Sequence, residues 1–501
     1  MMNKSTIGKG VIYLYIEAIA TMFSGYVYWL ILSKITSPSI IGTSSATLSF
    51  ISIFVVIASM GIGGGIQRFL GKSIVNKKIG NIKGFINSSL LITGLGILGS
   101  SIIILLLRDW IYYSFKINFS LVIISIIVMG STSLLGLLRA IIVPSLNTKI
   151  ITTSSILSTI IKIAATVILV IVGGGVMGIL IGFMLYPIIS SIILTIAIKR
   201  TFYNQNNDII ENDKPISLFY STKDIFIASI TFWVPAMITT IGSQLGTIFV
   251  LVSNGANFAG IYFISFSLVT GISVIMSVLS TIAYPAISAM TDGRKRAVWR
   301  LIKISLIIII PLSHALIFYS ADILQLFGSN YARGSTNLQI LILSILPTAI
   351  ISGISVLVYA YGNNRHVLII GLFTSIPRTL LYFIFVPIFG GNGAAITYLV
   401  GSIAGFIVSV IIANRIGLNI FWKQILLISI IPALLAVFLK FLGINYIFGI
   451  TSTIVISYVL LLKLHIIDKE DIEDILKILP KTIANPMVYS IVKISNKLRR
   501  S

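Results

Sequence analysis

Two cations lie inside apolar segments that offer them no water. Lys162 falls within the apolar run 150–172, and Arg378 within the run 367–389. A cation near the bilayer centre costs roughly 2.5–3.5 kcal/mol on insertion scales, so it faces a cavity or a partner. The chemistry open to two such groups is the binding of an anion. Glu17 is the clearest acid in an apolar segment. It is either a carboxylate that couples transport to a cation or a partner that neutralises Lys162 or Arg378. Arg68, within Gly65-Ile-Gln-Arg68-Phe-Leu-Gly71-Lys72, either steers an anion into a cavity mouth or anchors a helix end. His314 reads as a proton relay or as a satisfied structural histidine.

Bond-making chemistry has little to work with. The chain has no Cys, which removes disulfides, thiolate metal sites and Cys nucleophiles together. Three scattered His and no paired carboxylates outside the linker and tail leave no metal set and no acid–base pair. No cofactor and no metal are expected, and an enzyme is not expected. Gly94-Leu-Gly96-Ile-Leu-Gly99 has dinucleotide-fingerprint spacing but no preceding strand, so it reads as helix packing, like Gly61/Gly65, Gly178/Gly182 and Gly401/Gly405. Asn118-Phe-Ser120 is a glycosylation sequon on the expected outer side.

The elements that hold these residues must be membrane helices. Hydrophobic residues make up 57% of the 501 and charged ones 10%, against about 25% charged in soluble chains. Mean hydropathy is +1.06. Continuous Ile/Leu/Val runs, not short alternating segments, exclude an outer-membrane barrel. Run lengths of about 20 residues suit spanning helices. Fourteen are expected: 10–33, 43–66, 84–107, 119–138, 150–172, 177–198, 225–252, 257–288, 301–321, 337–361, 367–389, 394–413, 424–443 and 446–463. The first apolar run continues to Leu32, too long for a cleavable signal.

The net charge of +23 follows topology, not nucleic acid. Lys and Arg concentrate in the even-numbered connections and at both ends. The odd-numbered connections hold only Lys34, Arg108, Lys116, Arg333 and Lys440. That asymmetry predicts a multi-pass cell-membrane protein with both termini cytoplasmic.

Residues 201–224 are polar and read as a cytoplasmic linker between an N-lobe at 1–200 and a C-lobe at 225–413. Helices 13 and 14 occupy 414–465. The tail, 466–501, opens acidic, ends basic and carries Ile472, Ile475, Leu476 and Leu479 at helical spacing. It reads as an amphipathic helix on the inner leaflet. The lobes match at a nearly constant offset. Ile41-Gly42 pairs with Ala259-Gly260, Ile86-Asn-Ser-Ser89-Leu-Leu-Ile92 with Ile302-Lys-Ile-Ser305-Leu-Ile-Ile308, and Ile171-Val-Gly173-Gly174 with Ile388-Phe-Gly390-Gly391. The expected fold is therefore all-α, with two six-helix lobes related by an internal repeat plus two C-terminal helices. Lys162 precedes Gly173 by eleven residues and Arg378 precedes Gly390 by twelve. Each then lies roughly 17 Å from its helix end, near mid-membrane.

Several segments carry a family resemblance: Gly65-Ile-Gln-Arg-Phe-Leu-Gly71, Phe258-Ala-Gly-Ile-Tyr-Phe263, Ala283-Tyr-Pro-Ala-Ile-Ser288, Phe327-Gly-Ser-Asn-Tyr-Ala332 and Val386-Pro-Ile-Phe-Gly-Gly-Asn-Gly-Ala-Ala395. With them residues 1–463 resemble oligosaccharide flippases, the Wzx-like polysaccharide transporter family of the multidrug/oligosaccharidyl-lipid/polysaccharide exporter (MOP) superfamily. The resemblance implies two lobes around a central, often cationic cavity. It also implies alternating-access transfer of a polyisoprenyl-linked oligosaccharide from the cytoplasmic to the outer leaflet. Membrane lipids and the glycosyltransferases or polymerase of the same pathway are the implied partners, with the chain working as a monomer and no nucleic acid involved. Lys162, Arg378 and Arg68 would then meet the phosphate headgroup. The inside-negative potential favours outward anion movement by about 2.3 kcal/mol per charge per 100 mV, so ion coupling through Glu17 is open but not required. A cation-coupled multidrug exporter of the same fold and a non-transporting scaffold for glycan assembly are the alternatives.

Overall fold

The computed structural model describes residues 4–75, 79–145, 147–203 and 218–467. Most of the expected linker, and all but the first two residues of the expected tail, lie outside them. In hydrocarbon every backbone N–H and C=O must be satisfied within its own segment, so charge-poor Ile/Leu/Val runs become helices. Seventeen follow in chain order. They are α1 (Lys4–Ile35), α2 (Pro38–Ser59), α3 (Ile62–Val75), α4 (Ile79–Leu106), α5 (Arg108–Phe115), α6 (Phe119–Ile142), α7 (Thr148–Leu169), α8 (Gly175–Ile198) and α9 (Leu218–Asn254). Then come α10 (Ala256–Ala289), α11 (Arg294–Phe318), α12 (Ser320–Gln325), α13 (Ser335–Leu343), α14 (Ile345–Ala360), α15 (Asn364–Ile416), α16 (Trp422–Phe441) and α17 (Tyr446–Lys463). No strand occurs among the described residues. Among the described residues twelve apolar helical segments are long enough to cross a membrane, and the protein is an all-α multi-pass membrane protein.

Three of the helix breaks fall at residues with positive φ. The expected helix 43–66 stops at Ser59, because Met60 (φ 45°) and Gly61 (φ 66°) turn the chain. Gly61 is needed there: an added Cβ would lie 2.6 Å from Trp233 Cβ and 2.7 Å from the Ser229 carbonyl on α9. The Trp233 indole donates to the Val56 carbonyl at 2.8 Å, satisfying an acceptor near the end of the helix. Arg68 therefore sits on α3, a separate helix, and does not end helix 2 as expected.

Two further breaks reverse the chain. Gly173 (φ 94°) and Gly175 (φ 47°) separate α7 from α8, and a Cβ on Gly182 would fall 1.7 Å from Thr166 Oγ1. The two helices thus lie side by side. Within α15, Gly390 takes φ 56° and ψ −133°. A Cβ on Gly393 would fall 2.1 Å from the Phe385 carbonyl, so the residues flanking Gly390 also approach closely. Of Gly94, Gly96 and Gly99, only Gly96 is a packing glycine, with its Cβ position 2.1 Å from the Ala58 carbonyl; the other two face open space.

The chain forms two compact units. One comprises residues up to Phe263 with Thr374–Thr397, the other Ile264–Phe373 with the chain from Tyr398 onward. In the first, α2 and α10 meet at glycines. A Cβ on Gly42 would lie 1.8 Å from the Ala256 carbonyl, and one on Gly260 2.0 Å from the Pro38 carbonyl. The contact is reciprocal, and both pairs are separated by the same interval (256 − 38 = 260 − 42 = 218).

In the second unit α11 is the most enclosed helix, packed by α14, α16 and α17. The Trp299 and Phe421 rings meet at 5.1 Å where α11 and α16 begin, and Lys440 pairs with Asp322 at 2.8 Å where they end. These helices therefore run parallel. Tyr319 Oη donates to the Ile444 carbonyl at 3.2 Å, so α17 starts at the far end and returns toward the start of α11.

Candidate anion site

The candidate site is built on a parallel helix pair in the first unit. Along the α1–α7 seam Thr152 Oγ1 donates to the Tyr13 carbonyl at 2.8 Å, Ser155 Oγ to Glu17 Oε1 at 2.6 Å, and Tyr28 Oη to Thr166 Oγ1 at 3.5 Å. These contacts keep one register over four turns of helix, which fixes where each charged side chain falls.

Glu17 is 4% exposed and takes hydrogen bonds from Ser155 and from Arg139, which reaches it from the last turn of α6. Its cation is thus Arg139, and neither Lys162 nor Arg378 is its salt-bridge partner. Sequence reasoning missed Arg139 by ending its helix at residue 138, which left the arginine in the connection that follows. The signal was present: the apolar pattern continues through Ala140-Ile-Ile142.

Lys162 lies seven residues beyond Ser155 on the same face of α7, roughly 10 Å along the axis. It is half-buried. Its ammonium stands 4.6 Å from the Tyr28 ring centroid, 4.8 Å from Phe183 and 5.7 Å from Tyr186. No described carboxylate pairs with it. Ring faces attract the cation by roughly 0.5–2 kcal/mol each without consuming its N–H donors. Those donors stay available to an anion.

Arg378, on α15, is 4% exposed and engaged within the protein. Ser375 and Tyr382 flank it on one face, and both are buried against α9. Ser375 lies 2.6 Å from the Cβ position of Gly242, and Tyr382 Oη 3.0 Å from that of Gly246. Tyr28 on α1 meets Thr166 on α7, whereas Tyr382 on α15 meets Gly246 on α9. Arg68 is exposed on α3 and shares no described contact with Lys162. His314 is held by the Ile310 carbonyl at 3.0 Å in the second unit, as a structural histidine would be. No cluster of metal-ligating side chains occurs among the described residues.

This architecture defines a multi-pass helical membrane protein with the fold of MOP-superfamily transporters. A lipid II flippase, MurJ, in an inward closed conformation aligns with a TM-score of 0.66 at 18% identity, covering 89% of this chain and 97% of that one. An inward-facing multidrug resistance MATE family transporter aligns with a TM-score of 0.62 at 16% identity, covering 81% and 97%. A MOP superfamily transporter from Pyrococcus furiosus, described as having a binding pocket of reverse polarity that suggests a different function, aligns with a TM-score of 0.61 at 15% identity, covering 83% and 98%. Residues 31–335 match the family described as polysaccharide biosynthesis protein, and the chain belongs to that family. The comparison with curated protein sequences gives no match.

Proposed function

We propose that the protein is a flippase that carries a polyisoprenyl phosphate- or pyrophosphate-linked oligosaccharide from the cytoplasmic to the outer leaflet by alternating access. The observation that carries this reading is Lys162, a half-buried ammonium held by aromatic rings with no described carboxylate against it. Membership of a polysaccharide biosynthesis family supports the substrate class. Lys162 contacts the phosphate, and Arg378 adds positive potential from a buried position. Arg68 attracts the headgroup at the cytoplasmic mouth. Glu17 remains the candidate for coupling, and a cation would have to displace Arg139 to use it.

The same reading takes the reversals at Gly173–Gly175 and Gly390 as hairpins between crossings, which turns twelve segments into fourteen. The reciprocal Gly42/Gly260 contact and the exchanged tyrosines support two six-helix repeats. Cytoplasmic termini follow from the Lys and Arg distribution. Depletion should trap lipid-linked oligosaccharide on the cytoplasmic leaflet, read by mass spectrometry after leaflet-selective labelling. Lys162→Ala should reproduce the block with folded protein still present. Unchanged delivery in that variant overturns the assignment of the site.

A cation-coupled multidrug exporter is the second reading, and the structural likenesses favour it more directly, since MATE transporters share the fold across nearly their full length. An exporter of cationic drugs would put acids at the site, and here the described acid, Glu17, is already paired. Drug susceptibility that rises on depletion, with glycan delivery intact, would establish the exporter.

A further inference from the structure

The second unit carries a basic pocket that the proposed transport does not use. It is a cavity of about 490 Å³ at the start of α11, lined by Arg294, Lys295, Arg296, Trp299, Tyr361 and Asn419 among others. Arg294 builds its wall. The guanidinium donates to the carbonyls of Met290 at 2.6 Å, Ala360 at 3.1 Å and Ser288 at 3.1 Å, and stacks 5.4 Å from the Tyr361 ring. Its donors are spent on tying α11 to the turns around it. Lys295 and Arg296 are exposed and form no ion pair among the described residues. Asp292, the one acid in the lining, accepts from the Gly293 backbone N–H at 2.6 Å. The pocket therefore offers two uncommitted cations beside a fixed one.

Where the chain goes next identifies an occupant. Because α17 runs back toward the start of α11 and packs on both α11 and α16, it carries the chain toward the end of the unit that holds the pocket, closing with Ile466 and Ile467, each 4% exposed. The following seven residues, Asp468 to Asp474, hold five acids and one lysine, in a chain with only 13 Asp and Glu in all. Seven residues span up to roughly 23 Å extended, well beyond the 8–10 Å between packed helix axes.

We propose that the pocket at the start of α11 docks the chain's own acidic segment, residues 468–474, through Lys295 and Arg296. Docking would pin the ends of α11, α15 and α16 to the segment leaving α17. The attachment would be salt-sensitive, because the pairs lie at an open surface.

The absence of Cys makes the test clean. In the full-length protein in membranes, Asn419→Cys and Ile472→Cys are introduced together and cross-linked with a short bis-maleimide. The expected yield is at least fivefold that of Lys72→Cys with Ile472→Cys. It should collapse with Lys295→Glu/Arg296→Glu and return when Asp471→Lys/Glu473→Lys is added. Rescue by the second reversal separates pairing from misfolding. Yield equal to the Lys72 control, or indifferent to charge reversal, overturns the proposal. Retention of phosphatidylglycerol in native mass spectrometry, lost in Lys295→Glu/Arg296→Glu while cross-linking stays at control level, would instead give the pocket to a lipid headgroup.

Discussion

Lys162 on α7 and Arg378 on α15 stand eleven and twelve residues before a glycine break, yet the protein surrounds them in opposite ways. Lys162 is half-buried, with Tyr28, Phe183 and Tyr186 presenting their faces to it. Arg378 is 4% exposed, engaged, and flanked by Ser375 and Tyr382 against α9. Similar spacing from a glycine does not fix what surrounds a charge. Lys162 keeps its N–H donors uncommitted among aromatic rings, whereas Arg378 is enclosed by its neighbours.

The largest expected effect comes from a place where two helices behave alike, the reciprocal contact of α2 with α10. Gly42→Ala and Gly260→Ala would each force a Cβ to within 1.8–2.0 Å of a backbone carbonyl, which only a backbone shift can relieve. Each should cost about 3 kcal/mol, at the upper end for overpacking, and the two costs should agree. Unfolding midpoints in detergent measure this. Unequal losses would show that the reciprocal contact is not shared evenly by the two halves.

Arg378→Ala comes next. Truncating a buried, engaged guanidinium should cost about 2–3 kcal/mol, because its neighbours lose a charge-assisted donor inside the protein. Lys162→Ala should cost less, because removing the half-buried ammonium also relieves its desolvation and offsets the lost ring contacts, while glycan delivery falls more than tenfold. A melting curve beside a delivery assay for both variants checks the contrast. If Arg378→Ala melts like the parent, the two positions are equivalent after all.

Glu17 shows why this asymmetry was only partly legible in the sequence. The apolar helices and the glycine breaks near 173 and 390 could be read from runs and spacing, because a bilayer demands long apolar segments and glycine marks where they stop. Partner choice could not. Arg139 lies far from Glu17 in sequence, and only the packing of α6 and α7 against α1 brings it there. The break at Met60–Gly61 was missed although Gly61-Ile-Gly-Gly-Gly65 is a local breaker, because the apolar run continues across it and the Trp233 contact that fixes it comes from α9. The aromatic rings around Lys162 come from α1 and α8, and nothing in the α7 run announces them.

The Glu17–Arg139 pair is intermediate in expected effect. The Arg139 side chain is 33% exposed and that of Glu17 5%, so the pair is neither a surface bridge nor a sealed one. Glu17→Gln should cost about 1–2 kcal/mol, less than a fully buried pair would, since Ser155 can still donate to the amide oxygen. A double-mutant cycle with Arg139→Gln should recover a coupling of about 1 kcal/mol. Coupling near zero would mean that Glu17 does not depend on Arg139, and would free it for an ion.

The smallest effect is the most specific to the Lys162 side. Phe183→Leu removes one ring face, 4.8 Å from the ammonium, and keeps most of the apolar volume. Stability should change by about 0.5–1 kcal/mol, the scale of one partly exposed cation–π contact. Apparent affinity for the lipid-linked substrate should weaken by about two- to fivefold, the same free energy expressed as binding. Tyr28→Phe retains its ring and loses only a 3.5 Å hydroxyl contact to Thr166, so it should leave affinity within about twofold of the parent. The two variants together separate the ring from its hydroxyl. If Tyr28→Phe weakens substrate affinity more than Phe183→Leu does, the hydroxyl is the binding group, and the aromatic faces only shield the charge of Lys162.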